Sequence, residues 1–128
     1  MVAAMGNSGN NSVSYPAGYV GVIAVGATDQ NDQRPYFSQY GPHISVSAPG
    51  VQIYSTWPGN SYREESGTSM SCPTVAGLAA LVLAYRPNLT PAQVKTKIEQ
   101  NADDLGTPGF DNYYGYGRIN VLRTINAI

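Results

Sequence analysis

The sequence holds one cysteine and one histidine, Cys72 and His43, among 128 residues. A single cysteine excludes an internal disulfide and a cysteine-built metal site, and a single histidine excludes any two-histidine metal motif. Charge is scarce too, at 12% of residues against a usual ~25%. Seven basic and eight acidic side chains give a net charge of -1, so no cationic surface exists for a phosphate backbone and nucleic acid is excluded as a partner. The longest apolar run, Val75 to Tyr85, has 11 residues, short of the ~20 that cross a bilayer, and no membrane partner is expected. No basic residue precedes Arg34, so the first residues do not read as a signal peptide.

What is present describes a loop-rich globular chain. Hydrophobic residues make up 42%, with 14 glycines and nine prolines. Met1 to Met5 reads as a buried strand already under way, running into a Gly6-Asn7-Ser8-Gly9 loop. Val20 to Ala27 is continuous and β-branched, as suits a strand covered on both faces in a parallel sheet. Ile44 to Val46 and Val51 to Trp57 are further strands, separated by Ala48-Pro49-Gly50, and Gly59 to Gly67 reads as a polar loop. Apolar positions then recur at helical spacing from Ser69 to Tyr85, around a surface so apolar that the helix should be buried. Pro73 is placed in about its first turn. Thr90-Pro91-Ala92-Gln93 is a capping box opening a helix to about Asn101, and Asn120 caps a last one, Val121 to Ile128.

Two segments can carry chemistry. Gly67-Thr68-Ser69-Met70-Ser71-Cys72-Pro73 places a serine at a loop-to-helix junction. The helix N-terminus offers free N–H groups and partial positive charge to an alkoxide or oxyanion. The plainer alternative is that Thr68 or Ser69 caps the helix. The second segment, Ala3-Ala4-Met5-Gly6-Asn7-Ser8-Gly9, ends a strand on an asparagine whose neutral carboxamide could donate to developing negative charge; an ordinary turn is its alternative.

Taken together the segments resemble the subtilase family of serine endopeptidases, over essentially the whole chain. Gly67 to Pro73 followed by Val75-Ala76-Gly77 matches the family's nucleophile signature, and Ala3 to Gly9 its oxyanion strand and loop. Tyr15-Pro16, Val22 to Ala27, Phe37-Ser38, Gly41, Ala48 to Val51, Gly115-Tyr116-Gly117 and Ile119-Asn120 fall in register as well. The resemblance implies Ser69 as nucleophile and Asn7, with the Ser69 N–H, as oxyanion donor. It implies that Ala3, Ala4, Met5, Gly6, Ser14, Tyr15, Pro16 and Thr68 bind substrate, with Tyr15-Pro16 cis. Ser14 replaces a common glycine at the pocket floor, and Met70 would be an oxidation-prone thioether. The substrate would be a polypeptide, and the protein secreted.

The departures matter as much. The family's triad runs Asp, His, Ser, with the first two upstream of the oxyanion asparagine. Residues 1–128 therefore read as the C-terminal portion of the peptidase domain, with the acid and base in an N-terminal half outside it. His43 lies between Asn7 and Ser69 and reads as a surface-loop residue, in register with acidic residues near a weak cation site; Cys72 reads as a small buried residue. Without a base Ser69 is a poor nucleophile, so this chain alone should be inactive. The alternative is a non-catalytic binding or assembly fragment derived from a subtilase. No cofactor is required for the chemistry. Structural calcium is possible, with Asp29, Asp32 and Asp111 as weak candidates and no ligand set assigned. Glu64-Glu65 and Asp103-Asp104 read as solvated surface, and the Tyr113 to Tyr116 loop as cover for the helix–sheet core rather than a sugar surface. The expected fold is α/β: part of a doubly wound, mostly parallel sheet flanked by helices. Its open sheet edge and apolar face should take up a complementary N-terminal half or a second copy.

Overall fold

A computed structural model describes all residues, 1–128. Strands β1 (Val2–Ala4), β2 (Ile23–Thr28) and β3 (Val46–Pro49) form a parallel sheet in the order β1-β2-β3. Its register pairs Ala3 with Ala24 and Val25 with Val46. Every residue of β2 is buried, as its unbroken apolar composition requires of a central parallel strand. The architecture is α/β.

Helices α1 (Thr68–Tyr85), α2 (Pro91–Gln100) and α3 (Val121–Asn126) follow the strands. On one side of the sheet, Val75, Leu78 and Val82 of α1 and Val94 and Ile98 of α2 pack with Ile23, Val25, Val46 and Ala48. A smaller cluster of Ala3, Met5, Ala17, Val22, Ala24 and Ile44 fills the other. Gly50, just past β3, packs tightly against the start of α1. A β-carbon there would stand 2.3 Å from the Ser71 hydroxyl and 2.8 Å from the Gly67 carbonyl, so only glycine allows the approach.

Several expectations need correction. The second strand begins at Ile23, because Val20 is fully exposed and Val22 is held in a turn by the Tyr19 carbonyl. The third starts at Val46 and runs through Pro49. The loop expected over residues 59–67 contains a strand, β5 (Ser61–Glu65), which pairs antiparallel with β4 (Ile53–Trp57) around Pro58-Gly59-Asn60. That three-residue turn between β-branched and aromatic residues is a hairpin signal in its own right. Helix α1 is not buried all round: Leu81, Leu83 and Tyr85 are exposed. Its 18 residues are long and apolar enough to cross a membrane by length and composition alone, yet one face packs on the sheet as a core helix does. Pro73 falls in the second turn and leaves the Ser69 carbonyl without its i+4 donor.

The capping box is present, Thr90 accepting from the Gln93 N–H and Gln93 from the Thr90 N–H, and Asn120 caps α3. The tyrosine loop is bonded along the start of β3, the Tyr116 N–H donating to the Ser45 carbonyl and the Ser47 hydroxyl to the Tyr114 carbonyl. Tyr113 pairs with Tyr40 under the Arg34 guanidinium, and Tyr116 pairs with Phe110.

Candidate active site

β1 leads into Gly6-Asn7-Ser8 at its carboxyl end, where ligands of parallel α/β sheets bind. α1 starts on the same side. Its N-cap is Gly67, which has no side chain to offer, so neither Thr68 nor Ser69 caps the helix. The cap comes instead from 61 residues away. Asn7 Oδ1 accepts from the Thr68 N–H at 2.9 Å and from the Thr68 hydroxyl at 2.9 Å, and the Thr68 oxygen accepts from the Gly6 N–H at 3.1 Å.

This network orients the carboxamide. The Thr68 N–H can only donate, so the oxygen of Asn7 must face it, and the NH₂ is left to point elsewhere. Asn7 and Ser69 are both exposed, whereas Thr68 between them in space is fully buried. The Ser69 N–H lies in the first turn of α1 and has no intrahelical acceptor. Asn7 is thus fixed by its oxygen to the start of the helix whose second residue is Ser69, though Asn7 and Ser69 line separate cavities.

The substrate-binding candidates divide. Ala4, Gly6 and Ser14 are half-buried, and Tyr15 and Pro16 are exposed around a cis peptide bond. Ala3 and Met5 are corrected: both side chains belong to the smaller core cluster, because residues two apart along extended chain share a face. They can offer a ligand only backbone. Thr68, fully buried, acts through Asn7 and Gly6 rather than by facing a ligand.

The hairpin supplies residues that the sequence reading missed. Ile53, Ser55, Trp57, Arg63 and Glu65 share one hairpin face, and with Ser69, Met70 and Pro73 they line a cavity of about 190 Å³. Arg63 lies over the Trp57 ring and pairs with Glu65. Glu64 faces the other way, into a separate cavity with Asp29, Asp32 and Arg118.

No imidazole reaches Ser69's cavity. His43 lines a different one, with Val22, Ile44, Lys95 and Glu99, and both its ring nitrogens are buried without a partner. Burial pushes its pKa below the ordinary 6.5. Burial also raises the Cys72 thiol, which keeps it protonated and a poor nucleophile. The aspartates considered for calcium are engaged otherwise. Asp29 accepts from the Asn31 and Gln33 N–H groups, Asp111 from those of Thr107, Tyr113 and Tyr114, and Asp32 from Arg118. No group of three or more acidic, histidine or cysteine side chains converges, and no ligand set is assigned to these aspartates. Asp103 is not mere solvated surface: it accepts from Arg118 and Asn120 and forms an ion pair with Arg123.

Comparison with known proteins gives the family. The subtilase family profile matches residues 1–117. The chain is 50% identical over 123 residues to a thermostable alkaline protease of Halalkalibacterium halodurans, covering 96% of this chain and 33% of that protein. It is 48% identical to subtilisin BL of Lederbergia lenta and 49% identical to subtilisin DY of Bacillus licheniformis, in each case over 94% of this chain and 44% of the relative. It thus spans a third to under half of the length of these relatives. With the family profile matching all but the last 11 residues, the chain belongs to the subtilase family.

Proposed function

We propose that these 128 residues form the nucleophile and oxyanion side of a secreted serine endopeptidase. The observation that carries this is the Asn7–Thr68 pairing, which holds the Asn7 carboxamide by its oxygen at the start of the helix that carries Ser69. In the reaction Ser69 Oγ attacks the scissile carbonyl of a polypeptide. The new C–O⁻ is held by Asn7 Nδ2–H and the Ser69 N–H. The tetrahedral intermediate collapses to an acyl-enzyme as the amine leaves, and water then releases the acid. The backbone of residues 3–6 and Ser14, Tyr15 and Pro16 receive the side chain before the scissile bond.

The proton has to go to an imidazole, and His43 sits in another cavity. We therefore assign the base and its aspartate to polypeptide outside residues 1–128. The same polypeptide covers the exposed apolar residues of α1. Alone, the chain is inactive. A second reading, a non-catalytic subtilase-derived module, is favoured by one observation, the lack of any imidazole at Ser69.

Peptide-amide hydrolysis by the chain combined with polypeptide bearing the His and Asp separates the two. Ser69→Ala should abolish turnover. Asn7→Ala should lower kcat by about 10²–10³, subtilisin's own figure for one lost oxyanion donor. A folded complex with no turnover favours the module.

A further inference from the structure

Gln39 is a buried polar residue with no role so far. It is 2% exposed, and its carboxamide is fully engaged beneath the Asn7 loop. Oε1 accepts from the Ser8 N–H at 3.2 Å, while Nε2 donates to the Ser12 carbonyl at 2.8 Å and the Ser14 hydroxyl at 3.1 Å. Its backbone N–H donates to the Gly6 carbonyl at 3.0 Å. The residues before and after Asn7 are therefore both tied to Gln39, one by its main chain and one by its side chain.

The approach is close enough to dictate a residue. Gly6 has φ +110°, and a β-carbon there would lie 2.0 Å from Gln39 Oε1 and 3.0 Å from the Ser14 hydroxyl. The amide plane occupies the space a Gly6 side chain would need. A planar, doubly bonded amide in a dry site is stiff, since releasing any of its partners strands a buried polar group.

We propose that Gln39 is a positioning residue for the oxyanion donor: it fixes the peptide flanks of Asn7 and links them to Ser14 on the pocket floor. This rests on the reading of Asn7 given above. Thr68 sets the rotation of the Asn7 amide, and Gln39 sets where the backbone carrying it stands. Because the transition state needs the donor placed within a fraction of an ångström, displacement acts on kcat rather than on substrate binding.

The test is a double-mutant cycle of Gln39→Met and Asn7→Ala in the complete protease, the His- and Asp-bearing polypeptide included. Gln39→Met should lower kcat about 10-fold with KM changed less than about twofold, a part of the loss expected for removing the donor itself. In the Asn7→Ala background the same substitution should change kcat less than about twofold, since no donor remains to misplace. Equal losses in both backgrounds, or a loss confined to KM, would overturn the proposal and leave the Asn7 reading standing. If Asn7→Ala alone leaves kcat unchanged, the oxyanion reading falls and this inference with it. Should Gln39→Met fail to fold by near-UV circular dichroism, Gln39→Glu, which keeps the acceptor facing Ser8, is read on the same cycle with the same criteria.

Discussion

Thr68 decides more than its size suggests. Its hydroxyl donates to Asn7 and accepts from the Gly6 N–H, and it is fully buried. Thr68→Val keeps the shape and removes both bonds. It should cost about 1–3 kcal/mol in stability, because the Gly6 N–H is left unpaired. It should also slow catalysis in the complete protease; urea unfolding and kcat, measured on one preparation, check the two effects. Ser69 and Asn7 were legible as residues because a serine and a glycine-flanked asparagine each occupy a telling local pattern. Thr68's part was not, since a hydroxyl bonded 61 positions away leaves no trace in local spacing. Gln39 was invisible for the same reason: nothing near Ser38 or Tyr40 announces that its amide will lie under Gly6.

At the scale of elements, α1 anchors the site by a narrow stripe. Val75, Leu78 and Val82 face the sheet and are almost wholly buried. Leu78→Ala should destabilise the fold by about 2–5 kcal/mol, whereas Leu83→Ala on the exposed side should have little effect on the isolated chain; thermal unfolding distinguishes them. Thr90→Ala removes the acceptor of the Gln93 N–H at the start of α2 and should cost about 1 kcal/mol. Helix starts and the buried central strand were readable because capping and β-branched runs are local. Strand β4 was expected, but its partner β5 was missed because its residues are mostly exposed and polar, so no apolar alternation marked it. The burial of α1 was overstated because composition records what a surface prefers and not what covers it.

For the whole molecule, Val20, Leu81, Leu83, Tyr85 and Leu122 are large apolar side chains left exposed. The 128-residue chain alone should bind a hydrophobic dye and self-associate in sedimentation, and both should fall when the His- and Asp-bearing polypeptide is added. Stability should also depend on pH in opposed windows. Burial lowers the His43 pKa, so the stability of the neutral ring is full above 6.5 and is lost as pH falls through its folded value. Burial works against ionised Asp103, but hydrogen bonds from Arg118 and Asn120 and the charges of Arg123 and Arg118 outweigh it. Its contribution is present above 3.8 and lost below, as pH falls through the depressed value. Burial raises Glu99 despite Lys95, so Glu99 works in the other sense and removes stability as pH rises from 4.5 through its folded value. His43→Phe should flatten the window below 6.5 in denaturant titrations and leave the acid limb. The α/β class was legible in full, because strand and helix patterns are local; the two cavities that separate His43 from Ser69 were not, because they depend on how distant loops meet. The most direct measurement is covalent labelling of the assembled protein with a fluorophosphonate, mapped by mass spectrometry. Modification at Ser69 alone, slowed about 10²-fold by Asn7→Ala, is the expected result. Modification elsewhere, or a rate indifferent to Asn7 in a folded complex, would contradict it.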